Sequence, residues 1–400
     1  MKWLKKFSKE KKSFTLADDL IHLTENELKD LAPVNIIVAG KTGAGKSTLI
    51  NALFRENIAE TGVGKSITKQ VYKITKPGVP LTLYDTQGLE MDEQVQIKVK
   101  KTLCNIIDTL SKQNEKEKIN FVYYCINANS HRIESLEIDL INMLAKQVPV
   151  IIVLTQSLGS LTTEFIQYIH QLDLEIQTIV PVLAKPLLLQ NKHYIPAHGL
   201  NELINETLKV LPKESYKAFI NAQRIDIERK VEDSRSWAKK YISTAFGIGF
   251  IPIPMADSAL LVPMQIGMLA HISAIFGISL DKAQIISILA GVGGTGSMTM
   301  LGKSLTSSMI KWLPGVGQIG GAFITGSTAS VLTISLAYAY IEVLRYIAEA
   351  ELSHRDIYLN EIQRIMNKNL KEQLEIFHTV IPAEFRKQVI PKWLKYYIKK

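Results

Sequence analysis

The run Val34–Asn35–Ile36–Ile37–Val38–Ala39–Gly40–Lys41–Thr42–Gly43–Ala44–Gly45–Lys46–Ser47–Thr48 decides the fold of this 400-residue chain. Its first six residues are short and almost wholly apolar, as expected of a strand buried on both faces of a parallel sheet. The next eight fit G-x-x-x-x-G-K-[ST] at every position. Glycines let backbone N–H groups wrap a phosphate chain closely. The helix that follows, expected over roughly 46–54, points its positive end at the anion. In such a loop Lys46 reaches the β/γ-phosphates and the Ser47 hydroxyl ligates Mg²⁺. Gly40, Lys41, Thr42, Gly43, Ala44, Gly45 and Thr48 complete the expected phosphate cradle.

Working outward, Leu81–Thr82–Leu83–Tyr84–Asp85–Thr86–Gln87–Gly88 is an alternating strand that ends in an aspartate, with a glycine three residues later. D-x-x-G is a weak pattern alone, but here it follows Lys46 by 39 residues. At that distance it sets the Asp85 carboxylate beside the Mg²⁺ and the Gly88 N–H at the γ-phosphate.

At these two motifs the sequence resembles the translation-factor-related P-loop GTPases, the class of the Era, dynamin and AIG-like proteins. The resemblance implies GTP/GDP and Mg²⁺ as ligands and hydrolysis of GTP to GDP and phosphate. Between the motifs, Ser66–Ile67–Thr68–Lys69 is similar to the switch segment whose threonine closes over Mg²⁺; Thr68 is the candidate and Thr61 the alternative. The family's fourth motif, [NT]-K-x-D, falls after the strand Pro149–Leu154 as Thr155–Gln156–Ser157–Leu158, so its guanine-reading aspartate is missing. Ala184–Lys185 resembles the end of the fifth motif, S-A-K. Thr155, Ala184 and Lys185 are therefore the base-side candidates. Guanine preference is implied by the family alone. A lost base-reading carboxylate removes discrimination between purines, because a site must pair a group in order to reject its analogue. ATP stays open. Many relatives carry a water-positioning glutamine just after the D-x-x-G glycine; here that position is Leu89, and Gln87 is the catalytic candidate left. Slow hydrolysis follows, with a catalytic group supplied by a partner or a second subunit. The resemblance also allows a homodimer across the nucleotide.

Residues 34–212 alternate strands (near 34–39, 70–76, 80–85, 119–127, 149–155 and 178–184) with helices (near 46–55, 92–112, 134–146, 161–172 and 198–210). The expected fold class is α/β, a P-loop domain with a mostly parallel sheet and helices on both faces, followed by an all-α, glycine-rich hydrophobic domain. Residues 1–33 carry a basic start and an amphipathic helix over 18–31. Residues 213–240 read as a charged helical connector. Residues 241–345 hold only seven charged residues, Asp257, Asp281, Lys282, Lys303, Lys311, Glu342 and Arg345, and residues 346–400 return to charged helices and a basic tail.

Segments 283–302 and 315–341 have the length of membrane spans, and Gly317 and Gly321 the small-xxx-small spacing. A soluble bundle packed through glycines is the competing expectation. Ile251–Pro252–Ile253–Pro254–Met255–Ala256–Asp257–Ser258, with Pro263–Met264–Gln265 behind it, resembles the bacterial domain-of-unknown-function family 697, which is associated with membrane proteins. That resemblance covers roughly 240–345.

The net charge of +9 is concentrated at the ends: +5 over 1–13 and +6 over 385–400, on a body of about −2. Both ends also carry large apolar residues, a mix that suits an anionic membrane surface better than nucleic acid, for which a basic stripe across a folded face is expected. No nucleic-acid partner is expected. Two cysteines and no secretory pattern at the start point to a cytoplasm-facing bacterial protein at the inner membrane. Neither a metal cluster of His and Cys nor a Ser-His-Asp pattern stands out. A soluble regulatory module and a P-loop ATPase remain the alternatives.

Overall fold

The computed structural model describes residues 16–55, 63–66, 71–86, 93–189, 193–248, 256–293 and 326–380. They gather into two compact units, 28–226 and the remainder. The elements in chain order are α1 (Leu16–Lys29), β1 (Val34–Ala39), α2 (Lys46–Leu53), β2 (Val63–Ser66), β3 (Val71–Thr75), β4 (Leu81–Thr86), α3 (Glu93–Gln113) and β5 (Phe121–Asn127). There follow α4 (Ser135–Ala145), β6 (Val150–Thr155), α5 (Leu161–Gln171), β7 (Thr178–Val182), β8 (Leu187–Leu188), β9 (Tyr194–Ile195), α6 (Leu200–Val210) and α7 (Tyr216–Ala222). The chain continues through α8 (Ile227–Ile248), α9 (Ala256–Phe276), α10 (Lys282–Gly293), α11 (Gly326–Leu352) and α12 (Leu359–Val380).

The first unit is built on a seven-stranded sheet in the order β2-β3-β4-β1-β5-β6-β7. β1 pairs in parallel with β4 and β5, and β5–β6 and β6–β7 are also parallel. Only β3 runs against the rest: it pairs antiparallel with β2 at the edge and with β4. Successive side chains of a strand face opposite ways, and β1 supplies both cores accordingly. Val34, Ile36 and Val38 join Leu49, Ile50 and Leu53 of α2, Leu203 and Ile204 of α6 and Phe219 of α7 on one face. Ile37 and Ala39 join Val99 and Leu103 of α3, Ile141 and Leu144 of α4 and Phe165 of α5 on the other. A strand covered on both sides has no solvent face, which is why its sequence shows no alternation. The expected α/β class followed by helices is what the chain adopts.

The helical run expected over 213–240 is broken. Gln223 Oε1 accepts from the N–H groups of Ile225 and Asp226 at 2.7 and 2.8 Å, replacing the helical bonds that would carry α7 onward. Ala218, Phe219 and Ala222 of α7 belong to the sheet's core, whereas Ile227, Val231 and Ala238 of α8 belong to the helical one.

In the second unit α8 lies along α9 and α11, and α12 along α10 and α11. Its core includes Phe276, Ile288, Tyr340, Leu344, Met366 and Leu370, together with Ala17 and Leu20 of α1. Lys230 is wholly buried there, its ammonium donating to the Ile275 and Phe276 carbonyls at the end of α9. Among the described residues one helix, 330–352, is long and apolar enough to cross a membrane, and 78% of its most apolar 18 residues are buried. α10 is the described part of 283–302, and residues 294–302 lie outside the described residues. Gly317 and Gly321, residues 251–255 and both basic ends lie outside the described residues.

Candidate functional site

Gly40 leaves the end of β1 with φ 140°, and a Cβ there would stand 2.2 Å from the Cys125 carbonyl oxygen on neighbouring β5. Only glycine fits that approach. Gly43 and Gly45 also turn through positive φ, 79° each, and Gly45 leads directly into α2. The Thr42, Gly43, Ser47 and Thr48 rim of this loop is exposed, while Ala44 and Lys46 face inward. The loop and the N-terminus of α2 thus lie at the carboxyl ends of the parallel strands.

The Lys46 ammonium curls back onto its own loop, donating to the Gly40 carbonyl at 2.8 Å and the Lys41 carbonyl at 3.0 Å. Burial lowers its pKa, and the Asp85 carboxylate opposes that shift. Asp85 stands at the end of β4, in register with Val38 of β1. Burial pushes its pKa up to about 6, with Lys46 pulling the other way. Its Oδ1 is buried without a hydrogen-bond partner. Cys125, pushed up to about 12 mainly by burial, stays a neutral thiol, which leaves Asp85 as the local anion. A buried, unpartnered carboxylate oxygen close enough to a lysine to shift its pKa meets the demand of a hard divalent cation, and the exposed Ser47 hydroxyl adds a second oxygen donor. The residues present therefore fit Mg²⁺.

Two supports of the loop had no local sign in the sequence. The Lys41 ammonium pairs with Glu134 Oε1 at 2.6 Å and Glu137 Oε2 at 3.0 Å, at the start of α4. Burial lowers its pKa, but the two glutamates more than offset that and hold it above the usual lysine value. Glu137 is itself buried, accepts the Glu134 backbone N–H at 3.1 Å and takes the Tyr124 hydroxyl at 3.4 Å. The second support is Thr155, expected on the base side. It ends β6 buried, and its Oγ1 donates to the Ala44 carbonyl at 2.7 Å and shares that proton with the Ile126 carbonyl at 3.2 Å. Its hydroxyl is thus engaged by the phosphate loop.

Ala184 is partly buried against the sheet's core and Lys185 is exposed, both just past β7. Thr61, Thr68, Gln87, Gly88 and Leu89 lie outside the described residues.

The family model of the 50S ribosome-binding GTPases matches residues 35–156. That span holds the phosphate loop, Asp85 and Thr155, and ends before Leu158, where the family's aspartate would fall. The GTPase Der of Ruegeria sp. strain TM1040 is 38% identical over 71 residues, 17% of this chain and 14% of that protein. Magnetosome membrane protein 22 of Magnetospirillum gryphiswaldense is 27% identical over 108 residues, 26% of this chain and 53% of that protein. Toc33 of Arabidopsis thaliana, solved with Mg²⁺ and GMPPNP, overlays 50% of this chain and 93% of its own at 16% identity, with a TM-score of 0.30. The chain spans only about a seventh of the Der relative's length. Loop, sheet and sequence match together make 35–156 an α/β domain of the P-loop GTPase kind. The helical unit that follows lies wholly outside the matched span.

Proposed function

We propose that this protein is a nucleotide switch that hydrolyses GTP slowly to GDP and phosphate and couples its nucleotide state to a helical unit at the bacterial inner membrane. The observation that carries it is the pairing of an intact phosphate loop, Lys46 buried within it, with the unpartnered Asp85 oxygen. In this reading the incoming phosphates draw the Lys46 ammonium from the Gly40 and Lys41 carbonyls, and the loop N–H groups take the remaining phosphate oxygens. Ser47, Asp85 and Thr68 would hold Mg²⁺, which when bound neutralises charge on the β- and γ-phosphates. Thr68 senses the γ-phosphate, Gln87 orients the attacking water, and Ala184 and Lys185 flank the base. With no aspartate at 158, guanine selectivity is modest. With leucine at 89, hydrolysis is slow unless a partner or a second copy completes the site. The membrane half rests on the sparse charge of 241–345, its resemblance to family 697, the basic ends and the membrane protein among the relatives.

Competition of GTP and ATP for a fluorescent guanine nucleotide, on wild type and Lys46→Ala, tests the site. Wild type is expected to bind GTP, and the variant is expected to lose both nucleotides. Equal binding by the two proteins rejects the assignment, and a clear ATP preference makes the protein an ATPase. The burial of 330–352 within its own unit favours a second reading, a soluble regulatory bundle. Retention on cell membranes through high-salt and alkaline-carbonate washes supports the embedded form; a wholly soluble chain supports the bundle.

A further inference from the structure

The sheet order gives a nucleotide in the phosphate loop a direction. Asp85 ends β4 on one side of β1, while β5, β6 and β7 follow in turn on the other. A nucleotide whose metal-bearing phosphates lie at Asp85 and Lys46 extends across the carboxyl ends of β5, β6 and β7. Its base then meets the turns that leave those strands. Two of these turns are strained. Among the described residues four non-glycine residues have positive φ, and two of them stand here: His131 in the turn after β5, at 49°, and Gln156 directly after β6, at 53°. Such a conformation persists only where the surroundings over-determine it, and it gathers at ligand sites.

Gln156 is held from three directions. Before it, Thr155 is bonded to Ala44 of the phosphate loop at 2.7 Å. After it, the buried Ser157 donates its N–H to the Val182 carbonyl at the end of β7, at 3.2 Å. Beside it, Asn129 Nδ2 donates to the Gln156 carbonyl at 3.3 Å, and Asn129 is itself set by Asn127 Oδ1, which accepts its backbone N–H at 2.9 Å. The backbone is clamped while the side chain stays exposed. We infer that Gln156 is the specificity-determining residue that contacts the base, and that Asn129 is its positioning residue. The inference rests on the nucleotide binding proposed above. A carboxamide carries a donor and an acceptor on one planar group. It pairs bidentately with N6 and N7 of adenine. Guanine engages only one half of it, either the NH₂ at O6 and N7 or the oxygen at N1–H and N2–H. A carboxylate at the same place accepts from both guanine donors at once, and sets a second negative oxygen against the N1 or N7 lone pair of adenine. Gln156 thus makes the site tolerant of both purines.

The test measures GTP and ATP affinities of the full chain with Mg²⁺, by displacement of a fluorescent guanine nucleotide, beside melting curves without nucleotide. Gln156→Glu is expected to raise the ratio of GTP to ATP affinity roughly tenfold, the discrimination one bidentate contact supplies. Gln156→Gly, for which a positive φ is free of strain, is expected to keep or raise the melting midpoint while weakening both nucleotides roughly fivefold. Asn129→Ala combined with Gln156→Glu is expected to lose most of the gain in ratio, a non-additivity that a merely structural asparagine would not produce. An unchanged ratio in Gln156→Glu overturns the base contact, including the case in which its charge weakens both nucleotides alike. Wild-type affinities in Gln156→Gly overturn it too and leave the strained turn to the fold alone. A full gain in ratio in the double variant overturns the role of Asn129. In all three cases the nucleotide site itself stands. A wild-type chain that binds neither nucleotide overturns that site and this inference with it.

Discussion

Thr155 Oγ1 donates to the Ala44 carbonyl at 2.7 Å, so the end of β6 braces the middle of the phosphate loop. Both groups are buried. Thr155→Val keeps the shape and removes the donor, leaving the carbonyl unsatisfied at a cost of about 1–3 kcal/mol. The expected outcome is a lower unfolding midpoint and weaker GTP and ATP binding by a similar factor. A base-reading threonine would instead change the ratio of the two affinities, which parallel titrations measure.

That brace marks where the sequence stopped being readable. β1, the loop and α2 were legible because strand, glycines and lysine lie within fifteen consecutive residues and each position has a local reason. Thr155 was legible as a strand end, but its partner is 111 residues away and no pattern announces the contact. The same holds for Glu137, which meets Lys41 from 96 residues on. The break at Gln223 was hidden differently. A glutamine suits a helix interior, and only its side-chain bonds to Ile225 and Asp226 show it ending one.

Asp85 gives the site a pH dependence. Its folded pKa is raised to about 6 by burial, against Lys46, so the metal-free fold keeps the proton to a higher pH than the unfolded chain does. The stability this contributes is present below the unfolded value near 3.8 and is lost as pH rises through about 6. Mg²⁺ requires the ionised form. With nucleotide held constant, Mg²⁺ affinity should therefore fall roughly tenfold per pH unit below about 6. Calorimetric Mg²⁺ titrations from pH 5 to 8 check this, and Asp85→Asn should abolish the slope along with most of the affinity.

Glu137 is buried, and its carboxylate serves Lys41, the Glu134 backbone N–H and the Tyr124 hydroxyl. Glu137→Gln removes the charge at nearly constant volume and leaves a donor amide where acceptors are needed. A loss of about 2 kcal/mol is expected, a drop of roughly 4–8 °C in unfolding midpoint for a unit of this size. Glu134→Gln, on the more exposed partner, should cost less than half as much. Melting curves of the two variants measure the order, and equal costs would mean that the buried bonds of Glu137 to Tyr124 and the Glu134 N–H add nothing beyond its pairing with Lys41.

In the helical unit α10 packs against α12 through Gly291. A Cβ on it would lie 2.7 Å from Met366 Cβ and 2.8 Å from the Gln363 carbonyl, while Asn367 Nδ2 donates to the Gly291 carbonyl at 3.0 Å. One of those obstacles is backbone, so rotamer changes cannot relieve the clash and the helices must part. Overpacking of this kind costs typically about 1–3 kcal/mol, here together with the Asn367 bond. Gly291→Ala should therefore lower the unfolding midpoint despite alanine's better helix propensity, and Gly291→Leu should lower it further. The sign is the informative part: an isolated helix or one facing lipid would gain from alanine, so a raised midpoint in Gly291→Ala would show that α10 and α12 do not pack through this glycine in solution.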